Sequence, residues 1–326
     1  MKRFILILLI IVIAVAVGGY LIVNQAYNHN YDEEFPVEEM TIEADSAKIA
    51  HGKYLALGPA HCAHCHTTLD NFEAVERGDE VPMHGGFDFA LPFGHVYSSN
   101  ITSDDETGIG LLTDGQFYRM LRHNIKGNGR VAIDFMPFFN MSEYDIESVI
   151  AYIRTLNPVK KEVPENEFNF MGKAIMGLAI KPSMPNGTPP DFVKRDTTVA
   201  YGEYLAFSVA NCYGCHTNRD LQTGEFIGEP YAGGFKFGPD PTTQNWTFVT
   251  PNLTPDPETG VMASWSEEQF IERMRGGRVH MTSPMPWGPF SRLDDTDLKA
   301  LYRFLKTVEP VNNQIDNVAT PPAEAG

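Results

Sequence analysis

Cysteine is scarce in this sequence, which leaves none for a disulfide framework. The 326 residues include 4 cysteines, and all of them fall in two short motifs, C-A-H-C-H at 62–66 and C-Y-G-C-H at 212–216. Basic residues are also few, since 25 Lys and Arg stand against 42 Asp and Glu and give a formal net charge of −17. This balance argues against a nucleic-acid partner and fits either a solubilising surface or docking to basic proteins.

One apolar run near the N-terminus, from Phe4 to Val23, is long enough to cross a bilayer as a helix. Basic residues precede it and acidic residues follow it, which places the rest of the chain on the periplasmic side of the cytoplasmic membrane. A cleaved signal peptide would end at the small residues of 14–16. Because apolar character continues beyond them, we favour an uncleaved single-pass anchor over residues 1–24, followed by a linker over 25–44.

Each cysteine motif has the form C-x-x-C-H, the attachment signature of c-type haem. Thiols at i and i+3 lie on one side of a helical turn and can add to the vinyl groups at one porphyrin edge. The histidine that follows becomes the proximal iron ligand. Zinc, a redox dithiol and a disulfide are alternatives, but the histidine that ends both motifs argues against them. The sequence predicts two covalent haem c groups, with thioether bonds at Cys62, Cys65, Cys212 and Cys215 and iron ligation by His66 and His216.

The two motifs belong to an internal repeat, because Cys212 follows Cys62 by 150 residues and the text around them also repeats. A-H-G-K-Y-L-A at 50–56 matches A-Y-G-E-Y-L-A at 200–206. The repeat predicts an all-α fold with two tandem haem domains after the N-terminal helix. The predicted divisions are a first domain at 45–159, a proline-rich connector at 160–197, a second domain at 198–311 and a disordered tail at 312–326.

Helix-capping residues mark two helices in each copy. Thr113 and Ser266 each precede a Gln by three residues, which predicts capping boxes. Ser142 and Asp294 are predicted to cap the last helix of their copies.

A glycine recurs in the first helix of each copy, at Gly52 and Gly202. These small residues are expected to let the first and last helices cross closely. The aligned Tyr152 and Phe304 are expected to pack against them.

Methionine is predicted as the second iron ligand. Met136 and Met285 recur at equivalent places, each before a proline in a loop ahead of the last helix. Met141 is interpreted as a core residue because Leu293, which cannot bind iron, aligns with it. Met281 is the alternative in the second copy. A histidine ligand would need a position shared by both copies, which is true of none of the candidates His84, His95, His123 and His280.

Three other residues are candidates for contact with the haem. Asn100 and Asn252 begin repeated N-(I/L)-T segments, where the amide either binds a haem propionate or forms an Asx turn. Trp265 is a candidate for shielding or binding a haem edge in the second copy. The first copy has Leu112 in its place, so the two haem environments are expected to differ.

The connector contains an apolar stretch at 168–180. We expect it to pack on the domains. The alternative is an exposed docking patch.

The repeated motifs resemble two class I cytochrome c domains in tandem. The surrounding text, including N-L-T-P-D at 252–256, M-P-W at 285–287 and L-Y-R-F-L at 301–305, resembles the c-type haem subunits of membrane-bound periplasmic dehydrogenases for alcohols, sugars and gluconate. The resemblance implies thioether-bound haem and electron transfer in place of catalysis on a substrate. Those subunits usually carry three such domains, whereas this sequence has two and an N-terminal apolar run.

Function is therefore predicted as a membrane-anchored dihaem cytochrome. It would carry electrons between a dehydrogenase or quinol-oxidising complex and a terminal oxidase or soluble carrier, with no small-molecule substrate of its own. The alternative is a dihaem enzyme of peroxidase-like type, which needs one iron with an open sixth position. The repeated Met-Pro pair argues against it, since it offers a ligand to both irons.

Overall fold

The helices of this computed structural model begin where the capping residues place them. The structure describes residues 1–220 and 224–322. Thr113 and Ser266 both form complete capping boxes with the glutamine three residues later. In the first half of the chain (residues 45–159; the second half is 198–311), the Ser142 hydroxyl caps the last helix. Asp294 also precedes its helix, but its carboxylate binds Arg195 at 2.5 Å and makes no cap hydrogen bond.

Helices form most of the regular structure. In the part of the chain that is described they are α1 (Lys2–Tyr27), α2 (Ser46–Leu57), α3 (Cys62–Cys65), α4 (Phe72–Arg77), α5 (Asp114–His123), α6 (Glu143–Ile153), α7 (Phe170–Ala174), α8 (Val199–Tyr204), α9 (Cys212–His216), α10 (Glu267–Arg275), α11 (Trp287–Ser291) and α12 (Asp295–Leu305). Short 3-10 turns lie at Leu69–Asn71 and Pro241–Thr243, and π-helical turns extend α7 and α8 over Ile175–Ala179 and Leu205–Val209.

Two small antiparallel sheets accompany the helices in the described residues, so the expectation of an all-α fold is correct only in part. One sheet contains β1 (Asp88–Leu91), β2 (Gly94–Tyr97) and β3 (Glu167–Phe168), and the other contains β4 (Lys236–Phe237), β5 (Thr247–Val249) and β6 (Ala319–Thr320). In each sheet the third strand comes from a distant part of the chain. Strands this short show no alternating pattern that a sequence could reveal.

The C-terminal segment is more structured than the sequence predicted. Strand β6 pairs with β5, and Asn313 donates a hydrogen bond of 2.8 Å to the Ala232 carbonyl. The prediction of disorder from residue 312 onward is therefore wrong for this stretch, because its backbone completes a sheet. The last part of that predicted tail, 323–326, lies outside the described residues.

The first and last helices of each half cross at a glycine, as predicted. A Cβ atom added to Gly52 would lie 1.7 Å from the Ser148 carbonyl oxygen and 3.0 Å from Tyr152 Cβ. At Gly202 the corresponding distances are 2.0 Å to the Ala300 oxygen and 2.8 Å to Phe304 Cβ. Both helix pairs, α2 with α6 and α8 with α12, are thus in backbone contact that any side chain would block.

Residues of both halves share one buried hydrophobic cluster. It contains Leu55 and Ile146 from the first half and Leu205 and Leu298 from the second, each 3% exposed or less. The two halves therefore bury apolar surface against each other as well as within themselves.

The N-terminal helix α1 contacts the connector at its C-terminal end. A Cβ atom on Gly177 would lie 2.5 Å from the Tyr27 backbone nitrogen, and Arg130 donates a hydrogen bond of 2.9 Å to the Tyr27 carbonyl. Residues 1–17 are exposed, and the apolar window of α1 has a mean hydropathy of 3.1. By length and composition this helix is able to cross a membrane.

Candidate haem sites

Each cysteine motif forms one helical turn that starts from a residue in the left-handed region. Helix α3 follows His61, with φ of 40°, and helix α9 follows Asn211, with φ of 53°. The four thiols are free. Burial raises the pKa of Cys62 and that of Cys212 to about 12, so both thiols are protonated at neutral pH. Two thiols on one helical turn match attachment to one edge of a porphyrin.

Both motif histidines are oriented by a backbone carbonyl of a facing loop. His66 Nδ1 lies 2.8 Å from the Ser99 oxygen, and His216 Nδ1 lies 3.0 Å from the Pro251 oxygen. A carbonyl only accepts hydrogen bonds, so Nδ1 carries the proton and Nε2 presents its lone pair. A fixed tautomer of this kind is typical of metal-bound histidine. This donor set fits a covalently attached haem at both motifs.

One glycine holds the loop that faces each motif histidine. Sequence analysis did not identify this role. Gly85 N donates to the His66 carbonyl at 3.0 Å, and Gly233 N donates to the His216 carbonyl at 2.8 Å. Their φ values are +68° and +73°, and an added Cβ would lie 2.4 to 2.5 Å from a facing backbone oxygen. Only glycine satisfies both conditions. The repeated G-G-F at 85–87 and 233–235 was the available signal.

The structure favours the Asx-turn interpretation of Asn100 and Asn252. The Asn100 amide donates to Thr107 Oγ1 at 3.1 Å and to the Val159 carbonyl at 2.8 Å, and its oxygen accepts from Thr102 N. Asn252 makes the equivalent set of bonds. Both N–H groups of each amide are used within the protein, which leaves neither for a propionate. Because Asn100 directly follows Ser99, these bonds position the carbonyl that orients the haem-motif histidine.

The methionines differ in burial in a way that matches part of the sequence interpretation. Met141 is 2% exposed and belongs to the core, as predicted. Met136 and Met285 are half-buried and pack against the core. Met281 is 54% exposed, which makes it the weaker candidate of the second half. Iron ligation by Met136 and Met285 stays a prediction.

The helix that begins at each capping box carries an arginine in its last turn. This arginine binds the segment that follows the Met-Pro pair. Arg122 donates to the Phe139 carbonyl at 2.7 Å and binds Glu143 at 2.9 Å. Arg275 donates to the Ser291 carbonyl at 2.5 Å and binds Asp295 at 2.8 Å. The two sets are equivalent, so each arginine ties its loop to the first turn of the last helix. An arginine in the last turn of both helices was the missed signal.

Trp265 and the four histidines considered as candidate iron ligands lie in separate environments. Trp265 is half-buried, and its carbonyl accepts a hydrogen bond of 2.9 Å from Tyr302. His95 pairs with Asp88 at the surface, and His280 packs edge-on against two aromatic rings. His84 and His123 each approach a backbone carbonyl through Nδ1.

The two motifs lie near each other across the boundary between the halves. Burial, together with the charges of Cys215 and Asp240, raises the pKa of Cys65 to about 12. Cys65 and Cys215 are the second cysteines of their motifs. Groups attached there would therefore be neighbours.

Comparison with known proteins agrees with these features. Residues 199–309 match the cytochrome c family model, which implies covalently bound haem c in that region. The chain is 30% identical over 300 residues to the cytochrome c subunit of alcohol dehydrogenase (quinone) from Gluconacetobacter polyoxogenes, covering 87% of this chain and 61% of that protein. It is also 30% identical to the fructose dehydrogenase cytochrome subunit of Gluconobacter japonicus, covering 84% of this chain and 55% of that protein.

A shorter relative matches over most of its own length. The diheme cytochrome c-type protein of Cereibacter sphaeroides is 26% identical to this chain, over 77% of the chain and 82% of the relative. The dehydrogenase subunits are longer, and the chain spans little more than half of their length.

Proposed function

Because this chain is a homologue of the cytochrome c subunits of alcohol and fructose dehydrogenases, we propose that it is a dihaem electron-transfer cytochrome. The observation that carries this is the orientation of both motif histidines by equivalent backbone carbonyls. One haem c would be attached at each half, and the halves would act as tandem cytochrome c domains over 45–159 and 198–311. The proposed holding residues are Cys62, Cys65, His66 and Met136 in the first half and Cys212, Cys215, His216 and Met285 in the second.

The chain's own residues would fix the position of each site. When bound, haem c supplies one-electron oxidation and reduction at its iron. The Ser99 and Pro251 carbonyls hold the histidine rings, and the buried Asn100 and Asn252 hold those carbonyls. Iron ligation by methionine together with histidine would favour a high potential.

Helix α1 would anchor the protein, with the haem domains on the periplasmic side. Its apolar length supports this, and so does the contact of its C-terminal end with Gly177 and Arg130, since a segment removed after export would not need to fit the folded domains. The proposed partners are a dehydrogenase or quinol-oxidising complex as donor and a terminal oxidase or soluble carrier as acceptor. The net charge of −17 favours partners with basic docking faces.

Haem content and ligation in the purified full chain test the proposal. We expect two haems per chain, both low-spin and unreactive toward peroxide and carbon monoxide. Replacing both cysteines of either motif by alanine should leave one haem. A single haem in the unmodified chain would contradict the dihaem assignment. A high-spin haem that reduces peroxide would favour the peroxidase-like alternative.

A further inference from the structure

The connector exposes apolar side chains on one short helix. Phe170, Met171 and Leu178 are 54%, 63% and 51% exposed, whereas Met176 on the same segment is buried. These residues belong to α7 and to the π-helical turn that continues it to Ala179. The segment is far shorter than a membrane-crossing helix requires. Such an exposed apolar face needs a partner or a non-aqueous environment.

The position of this face is fixed by contacts with α1. The Phe170 ring stacks on Tyr20 with a centroid distance of 6.4 Å, and Gly177 approaches the Tyr27 backbone. Tyr20 and Tyr27 are seven residues apart, which is about 10 Å along a helix. The apolar segment therefore lies alongside the last two turns of α1.

The position of these two turns in α1 indicates how deep the apolar segment lies in the bilayer. The apolar run of α1 ends at Val23, so a hydrocarbon core of about 30 Å reaches its outer boundary close to Tyr20. Phe170, stacked on Tyr20, shares that level. Just beyond it, Arg130 lies 4.3 Å and Lys173 5.6 Å from the Tyr27 ring. Aromatic rings with basic groups next to them are typical of the interface between hydrocarbon and lipid headgroups.

We propose that residues 168–180 form a second membrane contact, an interfacial segment whose Phe170, Met171 and Leu178 enter the outer leaflet beside α1. Its partner is the phospholipid bilayer. The proposal rests on the proposed anchoring by α1. A single helix leaves a domain free to rotate and tilt over the membrane. A second contact beside it restricts both motions and holds the haem sites at a defined height and orientation.

The proposal is tested by photolabelling the full-length haem-loaded protein in vesicles. The vesicles contain phosphatidylethanolamine and phosphatidylglycerol with a small fraction of phospholipid that carries a diazirine on its acyl chain. Labelled residues are mapped by mass spectrometry. We expect label on residues 4–23 and, several-fold above background, on 170–178. The stretch around Val279 and Met281, 72% and 54% exposed and distant in sequence from α1, supplies the background.

Two variants and one control sharpen the test. Met171→Glu and Leu178→Glu should each lower labelling of 170–178 several-fold without changing the label on α1. Ile227→Glu, at a residue 64% exposed in the second half, should change neither. Label on α1 with only background on 170–178 would overturn this inference and leave the anchor intact. Absence of label on α1 would overturn the anchor and the inference with it. An unchanged visible spectrum shows that each variant is folded.

Discussion

Tyr54 donates a hydrogen bond of 2.5 Å to the carboxylate of Asp297, which lies in the opposite half of the chain. The same hydroxyl accepts a bond of 3.0 Å from the Asp294 backbone nitrogen. Tyr204, the repeat partner of Tyr54, donates in the same way to Asp145. Each tyrosine thus binds the first turn of the last helix in the other half. This reciprocal pair of contacts ties the two halves to each other.

Removing either hydroxyl should loosen the contact between the halves. Burial, together with the charge of Asp297, raises the pKa of Tyr54, so its hydroxyl remains a donor throughout the physiological range. Tyr54→Phe and Tyr204→Phe are each expected to lower the free energy of unfolding by about 1–3 kcal/mol, because a buried carboxylate loses a donor. Guanidinium titration of the full chain measures this. Tyr97→Phe, outside this interface, is the control and should change little.

The helix crossings at Gly52 and Gly202 should tolerate no side chain. Since an added Cβ would overlap a backbone carbonyl at both positions, Gly52→Ala and Gly202→Ala are expected to destabilise the protein by about 1–3 kcal/mol or more. The melting temperature reports the effect. Gly238→Ala is the matched control, because nothing lies within 4 Å of a Cβ there. Equal stability of Gly52→Ala and Gly238→Ala would show that the helices move apart freely.

Local patterns explain what could be predicted from the sequence. The capping boxes at Thr113 and Ser266 depend on residues three positions apart, and both are present. The burial of Met141 followed from comparing one position between two copies. The close crossing at Gly52 followed from a small residue recurring in the same helix. Each inference needed only neighbours in the chain or a repeat.

Features that depend on distant pairing were missed. Strands β3 and β6 are two residues long, and each forms only by pairing with a strand far along the chain. The Tyr54–Asp297 contact depends on how the two halves dock, which the repeat itself does not specify. At Asn100 the sequence allowed a propionate contact and an Asx turn equally, and the two are separated by the Thr107 hydroxyl and the Val159 carbonyl, which accept both amide N–H groups.

Glu76 should make stability depend on acid pH. It binds Arg278 at 3.0 Å and accepts a hydrogen bond of 2.9 Å from Gly288 N, both across the boundary between the halves. Burial raises the pKa of Glu76, but His64 and Arg278 outweigh this and lower it from 4.5 to about 2. A lowered folded-state pKa means that this stabilisation is complete above pH 4.5 and is lost as the pH falls toward 2. It is of the order of 3 kcal/mol.

Glu76→Gln isolates that contribution. The variant leaves the Arg278 guanidinium, 6% exposed, without its charge partner, so it is expected to be less stable by about 3 kcal/mol at pH 7. The difference from the unmodified protein should shrink as the pH is lowered from 4.5 to 2, as followed by denaturant midpoints. Glu80→Gln is the control, because Glu80 is 67% exposed and pairs with Lys53 at the surface. Its loss should have almost no effect. A constant Glu76→Gln deficit at all pH values would contradict the ion-pair explanation.

The identity of the second iron ligands can be tested at the two Met-Pro pairs. Met136→Leu and Met285→Leu preserve volume in the half-buried loops, so haem should stay attached through its thioethers. Each variant should lower the potential of one haem by on the order of 100 mV, since axial ligands tune haem potentials over about 0.8 V. A spectroelectrochemical titration of the full chain resolves the two haems and assigns each change to one half.

The matched controls decide between ligation and packing. Met141→Leu changes a core residue, 2% exposed, and Met281→Leu changes an exposed one. Both should leave the potentials unchanged, although Met141→Leu costs some stability. If Met281→Leu lowered the second potential and Met285→Leu did not, the ligand of that half would be Met281. If Met136→Leu left both spectrum and potential unchanged, the first iron would take another ligand. Because Arg122 fixes the chain just after Met136, Arg122→Met is expected to shift the first potential in the same direction as Met136→Leu if Met136 binds the iron, and to leave that potential unchanged if it does not.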